Sequence, residues 1–254
     1  MKKEKKIEPL PGIILEGKGI LLINTETLII GDIHIGQQEA LKKTGIMIPL
    51  YQYEELEKEL IKTINQSKPK KIILNGDIKH HFGTISIEEW DQILKFLRTA
   101  KKYAEIIIIK GNHDKVIEPI AKKLEIPIKN YYYENNKEDK IYVCHGDEIP
   151  NNKEYEEAKT IIIGHEHPAI TLREGARTET YKCFLKGKIT NLKEKTQKTL
   201  IVMPSFNPLN EGTNILTQKL LSPFLKNQDL SKFNIYVIGE QTYNFGLLKN
   251  IQKI

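Results

Sequence analysis

The chain has little cysteine, little arginine, few aromatics and no long apolar run. Among its 254 residues are two cysteines, Cys144 and Cys183, too few and too isolated for a disulfide framework or a CxxC site. Both read as small apolar strand residues in a reducing cytosol. No apolar stretch approaches the roughly 20 residues of a membrane span. The basic start Met1-Lys2-Lys3-Glu4-Lys5-Lys6 is followed by Glu8, Pro9, Pro11 and Gly12, which leave no apolar core for a signal peptide. These absences argue against a disulfide-stapled secreted scaffold and a helical membrane protein, and the expectation is a cytoplasmic location with no membrane partner. Arginine occurs only at 98, 173 and 177, so the net charge of +6 comes from lysine interleaved with glutamate. A basic surface favours polyanions, but this pattern reads first as solvated helix faces, and with its abundant isoleucine it resembles a thermophile's composition. Aromatics are 7% of residues against 39% hydrophobic overall, so aliphatics dominate, as suits a β-rich α/β protein. Nothing in the length demands a second domain, and no repeat or low-complexity tract is present.

What the chain does have is seven histidines placed alike: His34, His80, His81, His113, His145, His165 and His167. Each follows a β-like apolar run and sits within five residues of a glycine. The blocks are Gly31-Asp32-Ile33-His34, Gly76-Asp77-Ile78-Lys79-His80-His81, Gly111-Asn112-His113-Asp114, His145-Gly146-Asp147 and Gly164-His165-Glu166-His167. Core or surface histidines would not segregate this way. On an extended backbone side chains two apart share a face, so Asp32 and His34 are expected to point the same way and to hold one ion together. Flanking glycines let the backbone turn sharply beside a ligand.

Five ordered blocks, DxH, GD, GNHD, a lone His before Gly, and GHxH, resemble the calcineurin-like metallophosphoesterases from Gly31 to His167. His80, three residues after Asp77, resembles the DNA-repair exonuclease branch more than the protein phosphatases, and the short chain resembles small archaeal phosphoesterases related to that branch. The resemblance implies a four-layer αββα sandwich, two mixed β-sheets flanked by helices. It also implies that Asp32, His34 and His167 hold one ion, that Asn112, His145 and His165 hold a second, and that Asp77 bridges them. An oxygen- and nitrogen-rich set without thiolate suits two divalent ions, manganese before iron, zinc or nickel. The reaction so implied is in-line attack on a phosphodiester by a hydroxide shared between the ions. His113 would protonate or hydrogen-bond the leaving group and His80 would orient the phosphate or assist it. Asp114, Asp147 and Glu166 read as outer partners that fix imidazoles or backbone turns.

Elsewhere the pattern is ordinary. Short strands at 13–15, 20–23 and 27–32 precede an amphipathic helix over 49–65, with Pro49 in its first turn. A strand at 71–74, a helix opened by the capping box Ser86-Ile87-Glu88-Glu89, and a strand at 105–109 give βαβ alternation. Strands over 129–133 and 140–144 would form a hairpin, with Tyr131 to Tyr133 read as edge-strand packing before base stacking. Strands near 160–163, 169–172, 181–185, 199–202, 234–238 and 243–248 would form a second sheet, with a Lys-rich connector over 186–198. The polar loop 203–212 is expected to line the pocket, with Asn207 as its substrate contact. One domain over 1–254 is expected, with motifs over 31–167 and the second sheet, or a small cap, completed by 168–254. The favoured substrate is nucleic acid, perhaps as single strands; small or cyclic nucleotides come second. A non-catalytic scaffold is disfavoured because all seven expected ligands are present. The nuclease branch often dimerises, so the resemblance allows a homodimer.

Overall fold

The computed structural model describes residues 6–45, 52–83, 85–135, 140–190 and 197–251. The predicted start of the long helix at Pro49 and the tips of the two Lys-rich or Asn-rich hairpins lie outside these residues. The first sheet begins as a meander of antiparallel strands, β1 (Ile7–Leu10), β2 (Ile13–Glu16), β3 (Gly19–Leu22) and β4 (Thr27–Gly31). Helices α1 (Gln37–Lys43) and α2 (Gln52–Ser67) lead to β5 (Lys71–Asn75), and α3 (Ile87–Lys101) to β6 (Glu105–Ile109). Then α4 (Glu118–Lys123) leads to the short β7 (Ile128–Lys129). Strands β4 to β7 are parallel and neighbours in that order, as βαβ alternation requires.

The second sheet is built on β8 (Tyr132–Asn135), β9 (Lys140–Cys144), α5 (Lys153–Glu157) and β10 (Thr160–Ile163). It is completed by β11 (Pro168–Glu174), β12 (Arg177–Thr190), β13 (Gln197–Val202), β14 (Thr213–Asn214), β15 (Asn234–Ile238), β16 (Thr242–Leu247) and α6 (Leu248–Ile251). Strands β9, β10 and β13 are parallel, and the rest make the sheet mixed. Residues 186–190 and 197–198, expected in a connector, extend β12 and β13 instead. The expected strand over 129–133 is split: Lys129 ends the first sheet and Tyr132 begins the second. Tyr131 stacks on Tyr142 at 4.8 Å, with Tyr133 also beside Tyr142, so both pack on β9.

Alternation within single strands produces the layers. In β4, Leu28 and Ile30 join Leu56, Leu60, Ile93 and Leu97 of α2 and α3, while Ile29 faces the other sheet. In β9, Val143 meets that same central layer, and Tyr142 and Cys144 face outward toward Tyr155 and Phe224. Ile13, Ile29, Ile73, Ile162, Phe184 and Ile201 fill the space between sheets. The result is the two-sheet sandwich with helices outside. No described helix is long and apolar enough to cross a membrane.

Candidate metal centre

Both sheets direct the carboxyl ends of their parallel strands to one edge. Asp32 and His34 follow β4, Asp77 follows β5, and Asn112 and His113 follow β6; His145 follows β9, and His165 and His167 follow β10. Asp32 and His34 do converge, but not by strand alternation. The strand ends at Gly31, and both residues lie in the left-handed region, φ 56° and 46°.

Asp32, His34 and His167 form one group whose ligand atoms lie within 4.8 Å of one another. Asp32 Oδ1 is 3.1 Å from His167 Nε2, and the Nε2 atoms of His34 and His167 are 3.4 Å apart. Asp77, His145 and His165 form a second group. There His145 Nε2 is 3.3 Å from Asp77 Oδ2, 3.0 Å from Asn112 Oδ1 and 3.2 Å from His165 Nδ1. Asp77 Oδ2 is also 3.9 Å from His34 Nε2, so this carboxylate stands between the two groups. Ligands held at about 2.1 Å from one ion and at right angles are about 3 Å apart, so these spacings and the Asp, His and Asn donors fit divalent ions.

Apart from His145, the charges are those that ligands need. Burial opposes ionisation of Asp32, but His167 and His145 hold its carboxyl below the ordinary value. Burial likewise opposes ionisation of Asp77, but His145, His34 and His113 hold it well below the carboxylate range. Burial and His167 push His34 down to about 3, which keeps it neutral, and burial and His145 also lower His165. For His145 burial works downward, yet the hydrogen bond and charge of Asp77 carry it up to about 10.

His113 lies with His34 and Asp77 in a third convergent group. Its backbone N–H donates to Asp77 Oδ1, and its Nε2 is 3.8 Å from Asp77 Oδ2. Its Nδ1 meets the His80 carbonyl, which only accepts, so Nδ1 carries a proton and Nε2 is left for the site. The His80 ring stacks on that of His113, centroids 5.9 Å apart, and meets that of His34 edge-on at 5.5 Å. Burial and His113 lower His80 to about 4, leaving it neutral. His81 turns away to Glu89, 3.3 Å from Nδ1.

Asn207, expected to line the pocket, is fully buried. Its amide donates to the carbonyls of Ile33 and His34, at 2.8 and 3.1 Å, so it braces the loop that carries Asp32 and His34. Ser205 Oγ donates to the Asp32 carbonyl, and the Phe206 N–H to that of Gly31. Asn210, which the sequence reading passed over, places its Nδ2 2.9 Å from His167 Nδ1. It lies in the same loop, so the signal was the loop and not the residue. Asp114 accepts from the N–H groups of Ile78, Lys79 and Gly111, and Glu166 from those of Leu221 and Ser222, so both fix backbone turns.

Two three-residue groups sharing a neighbourhood around one carboxylate, at the merged ends of two sheets, form a candidate metal centre. The family model of the calcineurin-like phosphoesterases matches residues 26–231, and the chain belongs to that family of phosphoesterases. Among solved structures, the nuclease MPE of Pseudomonas putida is 18% identical and superposes with a TM-score of 0.66, covering 95% of this chain and 99% of that one. That likeness establishes the fold. Yfce, a phosphoesterase from E. coli, is 11% identical over 87% of this chain and 97% of its own, with a TM-score of 0.42, too loose to argue from. No curated protein sequence matches the chain.

Proposed function

We propose that the protein is a dimetal phosphodiesterase acting on nucleic acid, a nuclease of DNA-repair type. The observation that carries the reading is the position of Asp77, within 4 Å of both His34 and His145 and so between two ligand groups. Asp32, His34 and His167 would hold one ion, Asn112, His145 and His165 the other, and Asp77 both. Manganese is preferred, because the donors are mostly hard oxygen and imidazole. When bound, such ions polarise phosphoryl oxygens and lower the pKa of water toward neutrality.

The chain's own residues supply the rest. His113, with its Nδ1 proton committed to the His80 carbonyl, presents Nε2 toward the leaving oxygen and donates there when doubly protonated. His80, neutral and beside it, offers a hydrogen bond to a phosphate oxygen. Supporting the choice of nucleic acid are the lysine-derived positive charge and the name of the structural neighbour, a nuclease. Phosphodiesters of small or cyclic nucleotides are the second reading, since the same centre would serve them.

The test is hydrolysis of bis-p-nitrophenyl phosphate against p-nitrophenyl phosphate with Mn, in the wild type and in His113→Ala, followed by labelled single- and double-stranded DNA. Diester cleavage that requires Mn and falls at least 100-fold in His113→Ala, together with DNA cutting, is the expected result. Diester cleavage with inert DNA would move the substrate to small nucleotides, and inactivity on both diesters and DNA with two ions bound would overturn the reading.

A further inference from the structure

We infer that Phe82 is a stacking platform for an unpaired nucleobase beside the scissile phosphate, an assignment that rests on the nucleic-acid reading and narrows it to single-stranded substrate. Phe82 lies in the loop after β5, two residues beyond His80. Its ring sits against that of His113, centroids 3.6 Å apart and tilted by 33°. Yet the residue is 63% exposed. One face therefore covers the group next to Asp77, and much of the rest of the side chain is open to solvent.

A phenylalanine left in water forgoes the burial that holds the rest of the molecule together, so the position asks for a cause. The loop does not need the ring for its shape. Glu89 Oε1 accepts from the N–H groups of His80 and His81, at 3.0 and 3.3 Å. The His80 N–H also donates to the Ile35 carbonyl, and the His80 carbonyl takes His113 Nδ1. Hydrogen bonds thus fix the loop on both sides of the metal site and carry Phe82 with it. Among the described residues, no other phenylalanine, tyrosine or tryptophan is in ring contact with a histidine of the centre.

A flat apolar face held next to a phosphate-binding site suits the base of the adjoining nucleotide. Stacking of this kind tolerates any sequence, because every base has a π-face. Bases of an intact duplex already stack on their neighbours, so the platform serves single strands and frayed ends. The ring carries no charge, and its contribution is separable from the phosphate contacts that set salt dependence.

The test compares full-length, metal-loaded wild type with Phe82→Ala and Phe82→Trp. Each is titrated with a phosphorothioate oligothymidylate and with an abasic phosphorothioate strand of equal length. Phe82→Ala is expected to bind oligothymidylate about 5- to 150-fold more weakly, the loss typical of one stacked base. It should bind the abasic strand as the wild type does, with an unchanged slope of affinity against salt, and Phe82→Trp should restore the oligothymidylate affinity. If the ring only screens His113, both strands bind alike in all three proteins, while kcat and its pH profile shift on every substrate; that pattern overturns the proposal. Wild-type protein that binds oligothymidylate no tighter than the abasic strand overturns it as well. A wild type that discriminates the two strands through Phe82 but cleaves neither DNA nor bis-p-nitrophenyl phosphate upholds the platform and sinks the nuclease reading instead.

Discussion

Asp32, His34, Asp77, His165 and His167 all hold φ between 46° and 63°, a region in which a side chain other than glycine's costs about 1 to 3 kcal/mol. Such strain persists only where neighbours leave no alternative, and Gly111 shows how. A Cβ built there would lie 2.3 Å from Asp77 Oδ1 and 2.4 Å from the Asp77 nitrogen. Gly111→Ala is therefore expected to displace the shared carboxylate and to lose at least one bound ion and most activity, read by metal analysis of purified protein. Gly175→Ala, in the turn between β11 and β12, meets nothing within 4 Å and has φ 61°, so it should cost about 1 kcal/mol of stability and leave metal content alone. Equal metal loss in both would mean that the crowding at Asp77 is immaterial. Which residues would gather was legible in the order of the five blocks. How they gather was not, because alternation along a strand describes β4 to Gly31 and stops where the left-handed backbone begins. Asp114 yields a pH prediction. Burial and the charge of Asp77 push its carboxyl up to about 7, against 3.8 for an ordinary aspartate. Between these values the folded metal-free protein holds a proton that the unfolded chain releases, so Asp114's contribution to stability falls as pH rises from about 4 through 7. Asp114→Asn, which turns an amide donor on the Gly111 N–H, should cost about 1 to 3 kcal/mol at pH 5. Urea unfolding of EDTA-treated proteins should show that gap narrowing by pH 8; a gap that widens contradicts the assignment.

At the scale of elements, the loop after β13 is the part that position in sequence described least well. It is polar and turn-rich, and those features suit a pocket lining, but Asn207 spends its amide on the Ile33 and His34 carbonyls. Asn207→Ala leaves those carbonyls short of a donor and loosens the loop that holds Asp32 and His34. The expected outcome is a 10- to 100-fold weaker metal affinity, the usual effect of removing a group that orients ligands, with KM unchanged once metal saturates. A raised KM at unaltered metal affinity would instead make Asn207 the substrate contact. Helix α3 teaches the same lesson. Its start was readable, since Ser86 accepts from the Glu89 N–H as a capping box requires. Glu89, however, does not return to Ser86; its carboxylate reaches His80 and His81, so a local signal was reused to position the loop bearing Phe82. Strands with one apolar face to each layer, such as β4 and β9, were legible almost to the residue. The split of 129–133 between two sheets was not, because which sheet a short strand joins depends on distant partners.

For the whole molecule, the centre lies at a seam. The ends of β4, β5 and β6 from one sheet meet those of β9 and β10 from the other, and carboxylates Asp32 and Asp77 are buried there among five histidines. Ions bound across that seam would fasten the two sheets to each other, since an unfolded chain presents no such arrangement. Binding to the folded state alone adds about 2.7 kcal/mol for each ion present at one hundred times its Kd. For a chain of this length each kcal/mol moves Tm by about 2 to 4 °C, so two ions should raise it by roughly 10 to 20 °C over the EDTA-treated protein. Asp77→Asn weakens the one group proposed to serve both sites and should abolish most of this increment, while its metal-free Tm need not fall, because a buried charge has been removed. Thermal unfolding of both proteins with EDTA and across a Mn titration separates the cases. An Mn increment as large in Asp77→Asn as in the wild type would show that the stabilising ions bind somewhere other than the seam, and the two-ion centre would have to be abandoned with it.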